Sequence, residues 1–213
     1  MLFRPNSRLL SFIQAFIPIV LATLMTISTA SASTLLVMGD SLSAAYNLRQ
    51  DQGWVSLLQA HLSETYSDID VVNASVSGET TQGGLARFQQ LLTEHQPCWV
   101  ILELGANDAL RGYPLTLTKQ NLENMVKQSQ QASAKVLLIG NQIPLNYGKR
   151  YTDLFYGLYN KIATEYQTAY MPFMLEDVAL NKALMLSDGL HPNEAGQVII
   201  LANILPYLIP ILD

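Results

Sequence analysis

A serine stands where an apolar run stops: Gly39-Asp40-Ser41-Leu42-Ser43 follows Thr34-Leu35-Leu36-Val37-Met38, and Asp188-Gly189-Leu190-His191-Pro192 lies near the opposite end of the 213-residue chain. A serine hydroxyl is a poor nucleophile at neutral pH unless a histidine takes its proton and a carboxylate orients that histidine. Asp188 and His191 can supply both from one short loop. Taken alone, a Gly-Asp-Ser segment also fits plain turn chemistry, because Gly and Asp suit tight turns, and a His-Pro loop also fits a structural role. The conjunction of the two segments points to nucleophilic catalysis. The other histidines lie elsewhere: His61 ends one predicted helix and His95 sits just past another, where a positive ring suits the helix dipole, so both read as surface or packing residues.

The elements that must position these groups follow from periodicity. Short apolar runs predict strands at Thr34–Met38, Ile69–Asn73, Trp99–Leu104 and Val136–Gly140, with a weaker one around Ala169–Pro172. Apolar residues at helical spacing predict helices over Trp54–Leu62, Gly84–Glu94, Leu117–Ala132, Tyr151–Tyr166 and Asn193–Leu208. This alternation is the pattern of a mostly parallel sheet covered on both faces, a three-layer α/β/α sandwich. Sites in such open sheets lie beyond the carboxyl ends of the strands. Ser41 follows the first strand. After the second comes Asn73-Ala74-Ser75-Val76-Ser77-Gly78-Glu79-Thr80, where Gly78 either presents a backbone N–H to a ligand or belongs to an ordinary flexible turn. The third strand ends in Glu103-Leu104-Gly105-Ala106-Asn107-Asp108, and the Asn107 amide reads either as a second donor or as a helix cap or Asx turn. An acyl-transfer site needs such donors, because negative charge develops on the carbonyl oxygen under attack.

Composition narrows the class. Arg4 and Arg8, the apolar stretch Leu9 to Ile27 and the small residues Ala30-Ser31-Ala32 have the order of a secretory signal. The expected division is a signal peptide over 1–32 and a single domain over 33–213, in a periplasmic or secreted protein; an uncleaved membrane anchor is the alternative reading of the same stretch. The formal charge is −5, or −7 once Arg4 and Arg8 are removed. No dense basic run is left to neutralise phosphates, so nucleic acid is not an expected partner. The single cysteine, Cys98, forms no intramolecular disulfide and is expected to be a buried small hydrophobe at the start of an apolar run. Asn73-Ala74-Ser75 matches a glycosylation acceptor by letter and is read as chance.

With these segments in view, the chain resembles the SGNH (GDSL-type) hydrolases, and within them the exported bacterial thioesterase I/lysophospholipase/arylesterase group. The likeness rests on Gly39 to Ser43, Gly78, Gly105 to Asp108 and Asp188 to Pro192. It extends to Leu85-Ala86-Arg87-Phe88, Leu110-Arg111-Gly112-Tyr113 and Asn146-Tyr147-Gly148-Lys149-Arg150, stretches that catalysis does not itself demand. Ala106 and Ala109 depart from it, standing where glycines are expected and stiffening the loop after the third strand. The resemblance implies a flavodoxin-like fold, with Ser41, Asp188 and His191 as catalytic residues. It implies an oxyanion hole formed by the Ser41 and Gly78 N–H groups and the Asn107 side chain.

The implied reaction is hydrolysis of acyl esters and thioesters, lysophospholipid and aryl esters included, through an acyl-enzyme on Ser41. No metal or other cofactor is required, and no His-Glu-x-x-His or clustered Cys/His ligand set is present. Nor is this the Gly-x-Ser-x-Gly elbow of the α/β-hydrolases, since Ser43 occupies the place of the second glycine. Leu110, Tyr113, Ile143 and Pro144, with Leu145, are the expected apolar contacts for substrate, although the same residues can equally anchor loops on the core. The expected partner is a small acyl substrate, with no stable membrane insertion after signal cleavage and a monomeric chain. Two alternatives remain: a carbohydrate O-acetylesterase of the same superfamily, and a periplasmic binding protein that keeps the fold without the chemistry.

Overall fold

The structure, a computed structural model, describes residues 33–213. Five strands form one sheet: β1 (Ser33–Gly39), β2 (Ile69–Asn73), β3 (Trp99–Glu103), β4 (Lys135–Ile139) and β5 (Ala169–Met171). Their order is β2-β1-β3-β4-β5 and every pairing is parallel. The connecting helices are α1 (Trp54–Thr65), α2 (Thr81–His95), α3 (Ala106–Leu110), α4 (Leu115–Gln131), α5 (Lys149–Tyr166) and α6 (Glu194–Leu212). The expected α/β sandwich of the flavodoxin-like type is the one observed. The strand order reverses direction at β1, which places a topological switch point between β1 and β3, where open sheets bind ligands.

The period of two along each strand divides the core. Leu36, Met38, Val100, Leu102, Val136 and Leu138 face one side, packed with Phe88, Leu122, Met125, Phe155 and Ile162 from α2, α4 and α5. Leu35, Val37, Ile101, Leu137 and Ile139 face the other, against Trp54, Leu58 and Leu62 of α1 and Ile200, Ile204 and Leu208 of α6. Helix α6 is long and apolar enough to cross a bilayer by length and composition, and here it lies against the sheet through that row. Its first turn is tied to α1: the buried Gln197 amide oxygen accepts from the Trp54 N–H at 2.9 Å.

Four expectations change. His95 is the last residue of α2 and not just past it. The five-residue helix α3 opens immediately after β3, in a stretch too short to carry a helical period. His61 lies inside α1 instead of ending it, because the helix runs on to Thr65. Cys98 is exposed, not buried. It precedes β3 at the amino-terminal rim of the sheet, where its backbone is held by Thr34 and Lys135 (2.9 Å each).

Candidate active site

The turn after β1 is built with no spare room. A Cβ on Gly39 would stand 2.6 Å from Ser43 Oγ and 2.9 Å from Glu103 Oε2, so only glycine lets the chain pass there. Asp40 then folds the turn over itself: its carboxylate accepts from the Leu42 N–H at 3.0 Å, and its carbonyl accepts from Ser43 and Ala44 at 3.2 and 2.9 Å. Asn73, at the end of β2, donates its side-chain amide to the Ser43 carbonyl at 2.8 Å. That amide is therefore occupied in holding the turn. Ser41 is left half-buried at the apex, facing outward from the sheet edge.

The histidine arrives from the loop before α6. Asn193 caps that helix, accepting from Gly196 N–H at 3.2 Å and donating to the Ala183 carbonyl at 2.8 Å. Met185 and Pro192 pair in an antiparallel bridge, and Gly189 turns between them at a φ of +67°, in the left-handed region that favours glycine. One oxygen of Asp188 accepts the Leu190 and His191 backbone N–H groups at 2.9 and 3.0 Å; the other meets His191 Nδ1 at 2.7 Å. Burial pushes the Asp188 carboxyl up, but those two N–H groups and the imidazole outweigh it and hold the group down at about 2. The carboxylate is thus ionised and acceptor-only, so Nδ1–H donates to it and Nε2 is the free acceptor. Nε2 lies 2.8 Å from Ser41 Oγ. Tyr46 leans over the imidazole at 4.3 Å between ring centroids, brought there by left-handed backbone at Ala45 and Asn47.

Gly78 has a φ of +79° in the loop after β2. The loop is pinned by Arg87, which pairs with Glu79 at 2.8 Å and donates to the Ala74 carbonyl at 2.6 Å, and by Arg111, which donates to the Gly78 carbonyl at 3.1 Å. The N–H groups of Ser41 and Gly78 have no acceptor among the described residues. Asn107 sits one residue inside α3, whose start has no side-chain cap. Its Nδ2 instead donates to Asp40 Oδ2 at 3.0 Å. Asp108 is the member of the pair that secures a helix start, accepting from the Thr81 N–H of α2 at 2.8 Å.

Ser41, Gly78, Asn107 and His191 all border one cavity of about 280 Å³. Leu110, Ile143 and Pro144 line it, as expected, together with Leu42, Leu175 and Leu190, which periodicity did not single out. Tyr113 is not among the lining residues and stands 40% exposed; Leu145 is turned outward, 76% exposed. Both follow their lining neighbours around turns that aim them at solvent. Beneath the serine lie two buried carboxyls that sequence reasoning passed over. Burial raises Asp40, with the Leu42 and Asn107 donors opposing; burial and the Asp40 charge raise Glu103.

A hydroxyl, an imidazole and a carboxylate in line, with unpaired N–H donors beside the hydroxyl, define a serine-dependent acyl-transfer site. Residues 37–199 match the GDSL-like lipase/acylhydrolase family, and the chain belongs to that family. It is 47% identical to the esterase TesA of Pseudomonas aeruginosa over 192 residues, covering 90% of this chain and 96% of that protein. It is 42% identical to the thioesterase 1/protease 1/lysophospholipase L1 of Escherichia coli K12, covering 85% of this chain and 86% of that one. Among solved structures, the psychrotrophic esterase EstA from Pseudoalteromonas sp., inhibited by monoethylphosphonate, matches with a TM-score of 0.81 at 42% identity, covering 84% of this chain and 98% of that one.

Proposed function

We propose that this enzyme hydrolyses acyl esters and thioesters through an acyl-enzyme on Ser41. The single observation that carries the reading is the line Ser41 Oγ to His191 Nε2 to Asp188, at 2.8 and 2.7 Å. In the forward step Nε2 takes the serine proton as Oγ bonds to the carbonyl carbon. The carbonyl electron pair moves to oxygen, where the Ser41 and Gly78 N–H groups and Asn107 Nδ2 receive the charge. The carbonyl reforms as the alcohol or thiol leaves, taking the proton from His191. A water then repeats the sequence: His191 removes its proton, the carbon–Oγ bond breaks, and the acid departs as Ser41 regains its hydrogen.

The apolar lining favours a hydrocarbon acyl chain over an acetyl group on a sugar, and the esterase, thioesterase and lysophospholipase activities for which the relatives are named extend to this chain on that basis. Ser41→Ala tests the reading: turnover of p-nitrophenyl and acyl-thioester substrates should vanish while the melting temperature stays within a few degrees of wild type. Retained turnover would reject it.

Residues 1–32 lie outside the described residues, and we read them as an export signal. Amino-terminal sequencing of the protein recovered from the periplasm or medium should begin at Ser33; a start at Met1 would contradict cleavage.

A further inference from the structure

Glu103 takes no part in the proton relay, yet it sits directly under it, and its side chain is wholly buried at the carboxyl end of β3. Oε2 accepts from the Asp40 N–H at 3.3 Å and from the Ser43 hydroxyl at 2.8 Å, one residue before Ser41 and two after it. Oε1 accepts from Asn141 Nδ2 at 3.0 Å. Asn141, 1% exposed, opens the loop in which Gln142, Ile143 and Pro144 wall the cavity. Burying a carboxyl is costly, and here its neighbour Asp40 adds a like charge. Leu102 and Leu104 on either side are equally buried and apolar, so burial alone does not call for a carboxyl at this position. What only a carboxyl supplies is a pair of oxygens that gathers three donors from two separate loops. The missing Cβ of Gly39 is what lets it come so close to the turn.

We propose that Glu103 is a positioning residue that locks the nucleophile turn to the loop walling the acyl cavity, so that one buried group sets both the aim of Ser41 Oγ and the seat of the acyl chain. The proposal rests on the reading of Ser41 as nucleophile. An isolated structural anchor would affect folding alone. A joint between turn and wall affects the rate of attack and its dependence on chain length, because small displacements of a nucleophile are felt steeply.

Two variants separate these. Glu103→Gln keeps an acceptor oxygen for the Asp40 N–H and the Ser43 hydroxyl, whereas Glu103→Leu fills the volume and accepts nothing. On protein shown to be folded by circular dichroism, we would measure the rate at which a fluorophosphonate labels Ser41, and kcat and KM for p-nitrophenyl esters from acetate to decanoate. Glu103→Leu should slow labelling and lower kcat by about tenfold or more, leave KM for acetate within about twofold, and shrink the gain in kcat/KM from acetate to decanoate. Glu103→Gln should recover most of the labelling rate. A folded Glu103→Leu that labels at the wild-type rate and keeps the wild-type chain-length profile would overturn the proposal.

Should Glu103→Leu not fold, Ser43→Ala and Asn141→Ala each remove one donor. The first should slow labelling by about threefold to tenfold, the worth of one ordinary hydrogen bond, and the second should shrink the chain-length gain; wild-type behaviour in both would overturn the proposal. Failure of the underlying reading has a different signature: the wild-type protein would then not be labelled at Ser41 at all.

Discussion

Asn107 Nδ2 donates to Asp40 Oδ2 at 3.0 Å, joining the loop after β3 to the residue immediately before the serine. One amide hydrogen is used in this bond, and the second has no acceptor among the described residues, which leaves it free for the oxyanion role proposed above. Asp40 Oδ1 in turn accepts from the Leu42 N–H, so one carboxylate ties the Asn107 amide to the turn that carries Ser41, across the switch point of the sheet. Asp40 is almost completely buried, whereas Asn107 reaches it from the border of the cavity, so the bond is partly buried.

This linkage makes Asn107 and Asp40 an interacting pair. Asn107→Ala should lower kcat by about 10²–10³-fold with a smaller change in KM, the usual cost of an oxyanion donor. Asp40→Asn removes the charge that orients the amide and should lower kcat by about tenfold. The double variant should fall short of the product of the two losses, as expected of residues in one network. Steady-state kinetics on all four proteins checks this; full multiplicativity would mean that the two side chains act separately.

The carboxyl pair also sets a pH dependence of stability. Glu103 is raised from 4.5 to about 8, first by burial and then by the Asp40 charge. Between those values the folded protein holds a proton that the unfolded chain has released, so unfolding free energy must fall as pH rises through this window. Asp40, raised from 3.8 to about 6 chiefly by burial, acts in the same sense over the lower part. Urea unfolding at pH 5 to 8.5 should show a steeper decline in the wild type than in Glu103→Gln. Parallel curves for the two proteins would contradict the assignment.

Acyl-chain preference follows from the cavity. Each methylene buried against Leu110, Ile143, Leu175 or Leu190 contributes on the order of 0.8 kcal/mol. A volume of about 280 Å³ is finite, so kcat/KM should climb over several added carbons and then level off. Ile143→Asn or Leu110→Asn should flatten the climb while acetate esters change little; Tyr113→Ser, outside the lining, should not. A wild-type profile that peaks at acetate would instead favour the acetylesterase.

Much of this was legible in the chain. Strands were readable because a two-sided parallel sheet makes each one a continuous apolar run, and Ser41, Gly78, Asn107, Asp188 and His191 were readable because each follows a strand or precedes a helix with turn residues around it. Glu103 was not, since nothing in Val100-Ile101-Leu102-Glu103-Leu104 indicates that its carboxyl meets a turn 60 residues away along the chain. Tyr46 was hidden by the backbone: it lies over His191 in a turn with left-handed conformations at Ala45 and Asn47, which periodicity does not reveal. Leu175 and Leu190 belong to irregular loops, where period gives no face. Cys98 misled because an apolar run says nothing of which end of a strand lies at the rim.

The central claim is that Ser41 is the nucleophile activated by His191, and active-site labelling tests it most directly. A fluorophosphonate incubated with the wild-type protein, followed by peptide mass mapping, should place one adduct on Ser41. Cys98 should remain unmodified, exposed though it is. His191→Ala should slow the labelling by several orders of magnitude, because without the imbalance of proton affinity that Nε2 provides the hydroxyl attacks poorly. An adduct on any other residue, together with full turnover by Ser41→Ala, would contradict the account.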